Sequence, residues 1–229
     1  MYCLICHQKI IHHHTWNSMW EPLMQICEAC REELETIPST ICEKCGRASK
    51  RDFICDDCIA WEQNPRYKNI LEYNRALFTY NDKMKEIVYR WKYRGDYELV
   101  HIFKPYIAKQ FTQLYPSKKF PVVPIPLTED RMHERGFNQA EAIARLIHLQ
   151  FRNPVIHALI RREDSHEKQS KKSRQERIQA KNPFILKKSI NIPIILVDDI
   201  YTTGTTIHHA AKIIKEAGSP AVYSFTLIR

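Results

Sequence analysis

Residues 194–206 form the segment whose residue types and order most clearly indicate a ligand-binding site. Four apolar residues predict a buried strand, the acidic pair Asp198 and Asp199 follows it, and a helix is predicted from Thr206. A loop of hydroxyl residues and glycine before a helix offers backbone N–H groups and hydroxyls to a phosphate group. Carboxylates repel phosphate, so we expect the acidic pair to bind vicinal sugar hydroxyls or Mg²⁺ beside it. The predicted phosphate donors are Thr202, Thr203, Gly204, Thr205 and Thr206.

A second polar segment follows another predicted strand, at residues 127–139. It contains Arg131 and Arg135, and Gly136 comes directly after the second arginine. Arginine donates forked hydrogen bonds to phosphate oxygens, and glycine lets the backbone approach a ligand closely. We therefore predict that this loop binds pyrophosphate.

All eight cysteines lie in the first 58 residues, as four Cys-x-x-Cys pairs. Two thiolates at this spacing hold one edge of a zinc tetrahedron, so two pairs complete one structural ion. Redox chemistry is disfavoured because the stretch is too short for a thioredoxin-like strand and helix around one pair. Sequential pairing predicts two Zn²⁺ sites, although spacing alone leaves an interleaved arrangement open. The predicted ligand sets are Cys3, Cys6, Cys27 and Cys30, and Cys42, Cys45, Cys55 and Cys58.

The charge is unevenly divided along the 229 residues. The net charge is +9, but residues 1–62 carry −4 and the remaining residues +13. An anionic partner such as phosphate or nucleic acid is therefore expected at the C-terminal part. The apolar run 194–197 is far shorter than the roughly 20 residues of a membrane-spanning helix, and the first residues lack a signal-peptide pattern. We expect a cytoplasmic protein with no integral membrane segment.

Strands and helices alternate after residue 75, which is typical of an α/β fold with a parallel sheet. The patterns predict strands over 76–80, 122–126, 194–197 and 221–228, and helices over 83–93, 139–150 and 206–217. We divide the chain into a double zinc-ribbon module at 1–62, a linker at 63–75 and the α/β domain at 76–229. Trp61 is expected to fill the core of the zinc module.

Residues 194–206 resemble the signature of the type I phosphoribosyltransferases for 5-phosphoribosyl-1-pyrophosphate (PRPP). All thirteen positions are compatible, and Tyr201 is the least typical. The resemblance implies a Rossmann-like parallel sheet of that kind, and a catalytic role for Asp198 and Asp199 on the ribose hydroxyls. It also implies a 5′-phosphate cradle in the threonine loop, and Mg²⁺ bound with PRPP. Replacing Gly204 is expected to weaken ligand binding more than folding.

The run Arg-Gly-Phe-Asn-Gln at residues 135–139 resembles the ComF family of competence-associated proteins. These proteins resemble phosphoribosyltransferases and carry an N-terminal zinc module, and the similarity covers nearly the whole chain. It implies a cytosolic role in the uptake or processing of single-stranded transforming DNA. Competence proteins such as a DNA-uptake helicase are the implied partners, and contact with the inner face of the membrane would come through them.

Residues 159–177 are polar and lack glycine, which predicts an exposed, mobile stretch. In phosphoribosyltransferases the corresponding segment closes over PRPP, so the resemblance assigns Arg161, Gln169 and Arg177 to a lid. The threonine usual in the family is Glu167 here. The basic residues of this stretch would also suit single-stranded DNA.

Two functions are compatible with these features. One is a PRPP-binding protein that acts in natural competence. The other is an active phosphoribosyltransferase of nucleotide salvage or metabolism, for which no segment identifies a nucleobase or amine acceptor. The basic helix at residues 83–94 is interpreted as a solvated face, with a nucleic-acid track as the alternative.

Overall fold

The computed structural model describes residues 1–10, 24–49, 53–115, 119–162 and 181–229. Within these ranges lie six strands: β1 (Asn74–Phe78), β2 (Val122–Pro124), β3 (Leu159–Arg161), β4 (Phe184–Leu186), β5 (Ile194–Ile200) and β6 (Val222–Ile228). The central sheet is parallel, in the order β1-β6-β5-β2, and β3 and β4 form a separate antiparallel pair. This arrangement confirms the predicted α/β class with a parallel sheet and a cysteine-rich module before it.

Seven α-helices connect or flank these strands in the described part of the chain. They are α1 (Glu28–Glu32), α2 (Asp56–Gln63), α3 (Asp82–Tyr93), α4 (Val100–Leu114), α5 (Glu129–Arg135), α6 (Gln139–Phe151) and α7 (Thr205–Glu216). The sequence patterns predicted neither α4, which contains Pro105, nor α5. No helix among the described residues is both long and apolar enough to cross a membrane.

The strand β5 runs three residues beyond its predicted end and includes the acidic pair. The reason is pairing: Asp198 stays in register with Thr226 of β6, and Ile200 with Ile228. Continued pairing with β6 therefore holds both carboxylates on a strand rather than on a loop.

The sheet separates two apolar cores, and the alternation of side chains along β5 shows why. Ile195 and Val197 belong to the core that contains α3, α4 and α6, whereas Ile194 and Leu196 belong to the core that contains α7. Side chains of a strand point alternately to its two faces, so a continuous apolar run is the pattern that both faces require.

Residues 63–75, which we predicted as a linker, contribute buried side chains to the α7 core. Tyr67, Ile70 and Leu71 are buried, and Trp61 is 2% exposed as a core residue, as expected. Asn74 then begins β1, and its backbone N–H and side-chain amide donate to Lys44 O (2.7 Å) and Cys45 O (3.0 Å). The cysteine-rich module is thereby hydrogen-bonded directly to the edge strand of the sheet.

Candidate functional site

The acidic pair lies at the carboxyl end of β5, where the strand leads into the threonine loop. Asp198 is half-buried and Asp199 is 7% exposed. Asp198 Oδ1 accepts a hydrogen bond from Asp199 N (2.9 Å), and Asp199 Oδ1 accepts one from Ile200 N (2.8 Å). The two carboxyl groups are thus held in place by their own backbone.

The ammonium group of Lys92 forms an ion pair with Asp199 Oδ2, and both side chains are largely buried. Lys92 was interpreted as part of a solvated basic face, and for this residue that interpretation is wrong. A sequence signal for its burial exists. Met84, Ile87, Val88 and Trp91 form the buried face of α3, and Lys92 occupies the next position of the same face.

Asp198 forms no ion pair with any cation in the described part of the chain, and its environment favours the protonated form. Burial and the charge of Asp199 raise the pKa of Asp198 to about 7, against the opposing effect of Lys92. Two adjacent carboxyl groups cannot both ionise freely at low dielectric. The pair therefore contains one carboxyl group paired with Lys92, that of Asp199, and one with a pKa near neutral pH, that of Asp198.

The predicted phosphate donors are brought together around one small open pocket of about 70 Å³, which residues 200–207 line. Gly204 has a φ of +81° and stands at the N-terminus of α7, so the first amides of the helix face this pocket without intrahelical acceptors. The hydroxyl oxygens of Thr203 and Thr205 lie 2.9 Å apart. Backbone amides, hydroxyls and a helix dipole converge here, which is the donor set that an anion requires.

The predicted loop conformation of the segment with Arg131 and Arg135 is wrong, because both arginines lie on the seven-residue helix α5. Thr128 caps its first turn, acidic residues follow the cap, and Gly136 ends the helix with a φ of +75°. These are ordinary helix start and stop signals, and the sequence contains them. Gly136 is therefore a helix end, and the two arginines project from a helix beside the carboxyl edge of the sheet.

Arg161 ends β3 and is half-buried, and Leu159 is buried, so the predicted exposed stretch is wrong for these two residues; Ile160 between them is exposed. Its guanidinium lies 5.5 Å from the ring centre of Phe184. Burial lowers the pKa of Arg161, as do the charges of Arg131 and Arg135, whereas the charge of Asp198 raises it. The structure thus brings three arginines and the acidic pair to one edge of the sheet.

The other predicted lid residues, Gln169 and Arg177, lie outside the described residues.

The family-like run at residues 135–139 holds this edge together. Asn138 caps α6 and donates to Ile125 O at the end of β2 (2.9 Å). Gln139 is buried, accepts from Arg135 (3.0 Å) and donates to Trp91 O (3.3 Å). The asparagine and glutamine therefore position Arg135 and α3 relative to the strand ends.

The eight cysteines form two groups with the predicted sequential pairing, so the interleaved alternative is wrong. Within each group the four sulfur atoms lie within 4.8 Å of one another. All four thiols of the second group are buried, whereas Cys6 of the first is exposed. Hydrogen bonds with Cys45 and Cys58 lower the pKa of the Cys42 thiol, which favours a thiolate there.

The spacing within the groups agrees with tetrahedral zinc. The Sγ–Sγ distances are 3.6 Å for Cys6 and Cys27, 3.7 Å for Cys45 and Cys55, and 3.8 Å for Cys42 and Cys58. A tetrahedron with zinc–sulfur bonds of about 2.3 Å has edges of about 3.8 Å. Each group fits one structural Zn²⁺ ion with four protein ligands and no open coordination position.

Similarity to curated proteins extends over the whole chain, although no protein-family model matches it. The sequence is 41% identical to the competence protein ComFC of Bacillus subtilis, over 99% of this chain and 94% of that protein. It is 33% identical to ComFC of Streptococcus pneumoniae, over the full length of both. The DNA utilization protein YhgH of Escherichia coli is 22% identical, over 89% of this chain and 90% of that protein.

Proposed function

This chain belongs to the ComFC family of competence proteins, and from that premise we propose that it acts in competence, in the uptake or processing of single-stranded transforming DNA on the cytosolic side. We further propose that it does so as a PRPP-binding protein. The names of its relatives, competence protein and DNA utilization protein, support the first part of the proposal. The second part depends on the site at the carboxyl edge of the sheet.

One observation carries the PRPP proposal: a helix N-terminus with threonine donors, an acidic pair and three arginines share one edge of the sheet. PRPP carries a 5′-phosphate, vicinal ribose hydroxyls and a pyrophosphate. In the proposed pose the loop at 202–206 binds the 5′-phosphate, and Asp198 and Asp199 accept from the hydroxyls. Arg131, Arg135 and Arg161 then face the pyrophosphate.

Magnesium fits this edge as a partner of the pyrophosphate. Because Lys92 already pairs with Asp199, Asp198 is the carboxyl group left to accept from a metal-bound water or a ribose hydroxyl, and a cation bound beside it would favour its ionised form. Mg²⁺ usually keeps several waters and binds through one or two carboxylates plus substrate phosphates. When bound, it would neutralise the pyrophosphate.

Calorimetric titration with PRPP, with and without Mg²⁺, tests the pocket. We expect Mg²⁺-dependent binding to the wild-type protein and none to Asp198→Ala/Asp199→Ala. Glu32→Ala/Glu33→Ala is a matched control, because it removes two adjacent exposed carboxylates outside the pocket. Unchanged binding in the Asp198/Asp199 variant would refute the assignment.

We propose that single-stranded DNA contacts the C-terminal half of α3, next to this pocket. Tyr89 and Tyr93 are 54% and 53% exposed, and their ring centres lie 5.4 Å apart. Arg94 lies over the Tyr89 ring at 5.8 Å, and Arg135 over the Tyr93 ring at 5.9 Å. Exposed aromatic rings beside arginines are the elements with which proteins stack bases and bind backbone phosphates.

Fluorescence anisotropy with a labelled oligothymidylate tests this surface. Tyr89→Ala/Tyr93→Ala should weaken binding at least ten-fold, since each stacked base contributes about 1–3 kcal/mol. Tyr2→Ala removes another exposed tyrosine, from the first zinc module, and should leave the affinity unchanged. Equal affinities for the wild type and both variants would show that DNA binds a different surface.

A second candidate function is transfer of the phosphoribosyl group to a nitrogen acceptor. The three arginines that face the acidic pair favour it, because such a cluster would stabilise pyrophosphate as it leaves. Pyrophosphate release from PRPP, measured across a panel of nucleobases and amines, distinguishes turnover from binding alone.

A further inference from the structure

The side of the threonine loop that faces away from the pocket is held by two side chains from distant parts of the chain. Arg229 Nη1 donates to the carbonyl oxygens of Tyr201 (3.1 Å) and Thr202 (2.6 Å). Trp61 Nε1 donates to the carbonyl oxygen of Thr203 (2.9 Å). Three consecutive carbonyl groups are therefore fixed by side-chain donors.

This arrangement determines where the amides of the loop point. In a trans peptide the C=O of one residue and the N–H of the next point in opposite directions. Fixing the carbonyls of residues 201–203 on one side thus directs the N–H groups of residues 202–204 to the other. The pocket that residues 200–207 line is bordered by neither Trp61 nor Arg229, so we place it on that other side.

Both side chains that fix the carbonyls are tied to the second cysteine group. Trp61 lies on α2, which begins directly after Cys55 and contains Cys58. Arg229 Nη2 donates to Cys45 Sγ (3.2 Å). The Trp61 ring also stacks on His208 of α7, with 4.0 Å between ring centres and 6° between planes, and His208 Nδ1 donates to Gly204 O (2.9 Å).

The first cysteine group has no comparable route to the loop among the described residues. Cys3 and Cys30 lie in the core on the opposite face of the sheet. The module around them is held to α3 by Arg90, which donates to Leu4 O and Ile5 O. The two groups are therefore equivalent as zinc ligands but different in what they support.

We propose that the second cysteine group, through Trp61 and Arg229, holds the threonine loop in its anion-binding conformation. Trp61 and Arg229 are positioning residues: they touch the back of the loop and act on the ligand through its amides. The inference rests on the proposed function for the identity of the ligand, whereas the loop conformation is measurable without any ligand. Zinc in this group would thus be a condition for phosphate binding at a distance from the metal.

Amide hydrogen exchange of residues 208–210 in the zinc-loaded, ligand-free protein tests the proposal, because this segment begins with His208, whose N–H donates to the loop carbonyl of Gly204 (2.8 Å). Trp61→Phe keeps a ring to stack on His208 and removes only the N–H donor. Arg229→Lys removes the guanidinium group, which donates to Cys45 Sγ and to the loop carbonyls at the same time. Each should speed exchange in this segment about five-fold, the effect of losing one hydrogen bond. Trp91→Phe is the matched control, because Trp91 is equally buried and its Nε1 has no hydrogen-bond partner within the described residues.

Cysteine variants separate the two metal groups. Cys45→Ser and Cys30→Ser should each lower the zinc content by one ion per chain, but only Cys45→Ser should speed exchange in residues 208–210. Should Cys45→Ser fail to fold, Trp61→Phe and Arg229→Lys still decide the matter. Equal exchange in both cysteine variants overturns the proposal.

PRPP titration of the same proteins separates this inference from the proposed function. Faster exchange and weaker PRPP binding in Trp61→Phe and Arg229→Lys, with Trp91→Phe like the wild type, supports both. Faster exchange in a protein that binds no PRPP supports the loop inference and refutes the proposed ligand. Wild-type exchange in Trp61→Phe and Arg229→Lys, or equally fast exchange in Trp91→Phe, overturns the inference whatever PRPP does.

Discussion

At the scale of single residues, the acidic pair is asymmetric. Asp199 is buried against Lys92, whereas Asp198 has its pKa raised by burial and by the charge of Asp199. A buried carboxyl group paired with a cation is held in place, and a second charge directly beside it is costly at low dielectric. We therefore expect that the charged form of Asp198 lowers protein stability, although ligand binding would use this form.

Asp198→Asn should stabilise the protein in a pH-dependent manner. The pKa of Asp198 is about 7 in the folded state against 3.8 for an ordinary aspartate, so its ionisation destabilises the fold progressively from about pH 4 to pH 7. Asparagine lacks this charge. After discounting for partial exposure, we expect a gain of about 1–2 kcal/mol in the free energy of unfolding at pH 8 and almost none at pH 4. Urea denaturation across this range measures it, and a gain independent of pH would contradict the raised pKa.

At the scale of elements, one glycine, Gly204, joins the loop after β5 to helix α7. A Cβ atom at position 204 would lie 2.2 Å from the hydroxyl of Tyr201, whose ring is buried against the second cysteine group. We predicted that replacing Gly204 impairs binding more than folding. The contact with Tyr201 changes that expectation, because the same substitution must also displace a buried ring.

Gly204→Ala should therefore destabilise the protein more than Gly95→Ala. Both glycines have a positive φ, +81° and +66°, so both substitutions introduce backbone strain of roughly 1–2 kcal/mol. Nothing lies within 4 Å of a Cβ at Gly95, whereas overpacking at Gly204 adds about 1–3 kcal/mol. The midpoints of urea denaturation, compared between variants with the same m-value, measure the difference in stability. Equal losses would mean that Tyr201 moves away without cost.

At the scale of the whole molecule, the two cysteine groups lie on opposite faces of one sheet. Cys3 and Cys30 belong to the core of α3, α4 and α6, and the second group belongs to the core of α7. Each group thus supplies part of the apolar cover that a parallel sheet requires on both faces.

Zinc and folding should consequently be coupled throughout the chain. Metal analysis should give about two zinc ions per chain. Chelation should lower the melting temperature of the sheet in a single transition rather than melt a separate module, because metal and sheet share both cores. A chelated protein whose sheet melts at the original temperature would show that the module folds independently.

Much of the fold and site was predictable because it depends on neighbours in the sequence. The strand, acidic pair and threonine loop are consecutive, and each Cys-x-x-Cys pair spans one turn. The helix α5 was missed although its cap and terminal glycine are present, and Lys92 was missed because its charge outweighed its position on an apolar face.

The sequence alone determined the α/β class, the strand with its acidic pair and threonine loop, and the two sets of zinc ligands, since each follows from short-range periodicity or spacing. Only the tertiary structure decided the pairing of the cysteines, the ion pair between Lys92 and Asp199, and the attachment of the loop to the second group. Trp61 and Thr203 are 142 residues apart in the chain, and Cys45 and Arg229 are 184 apart. No local pattern encodes such contacts, because they exist only when the sheet and its two cores have formed.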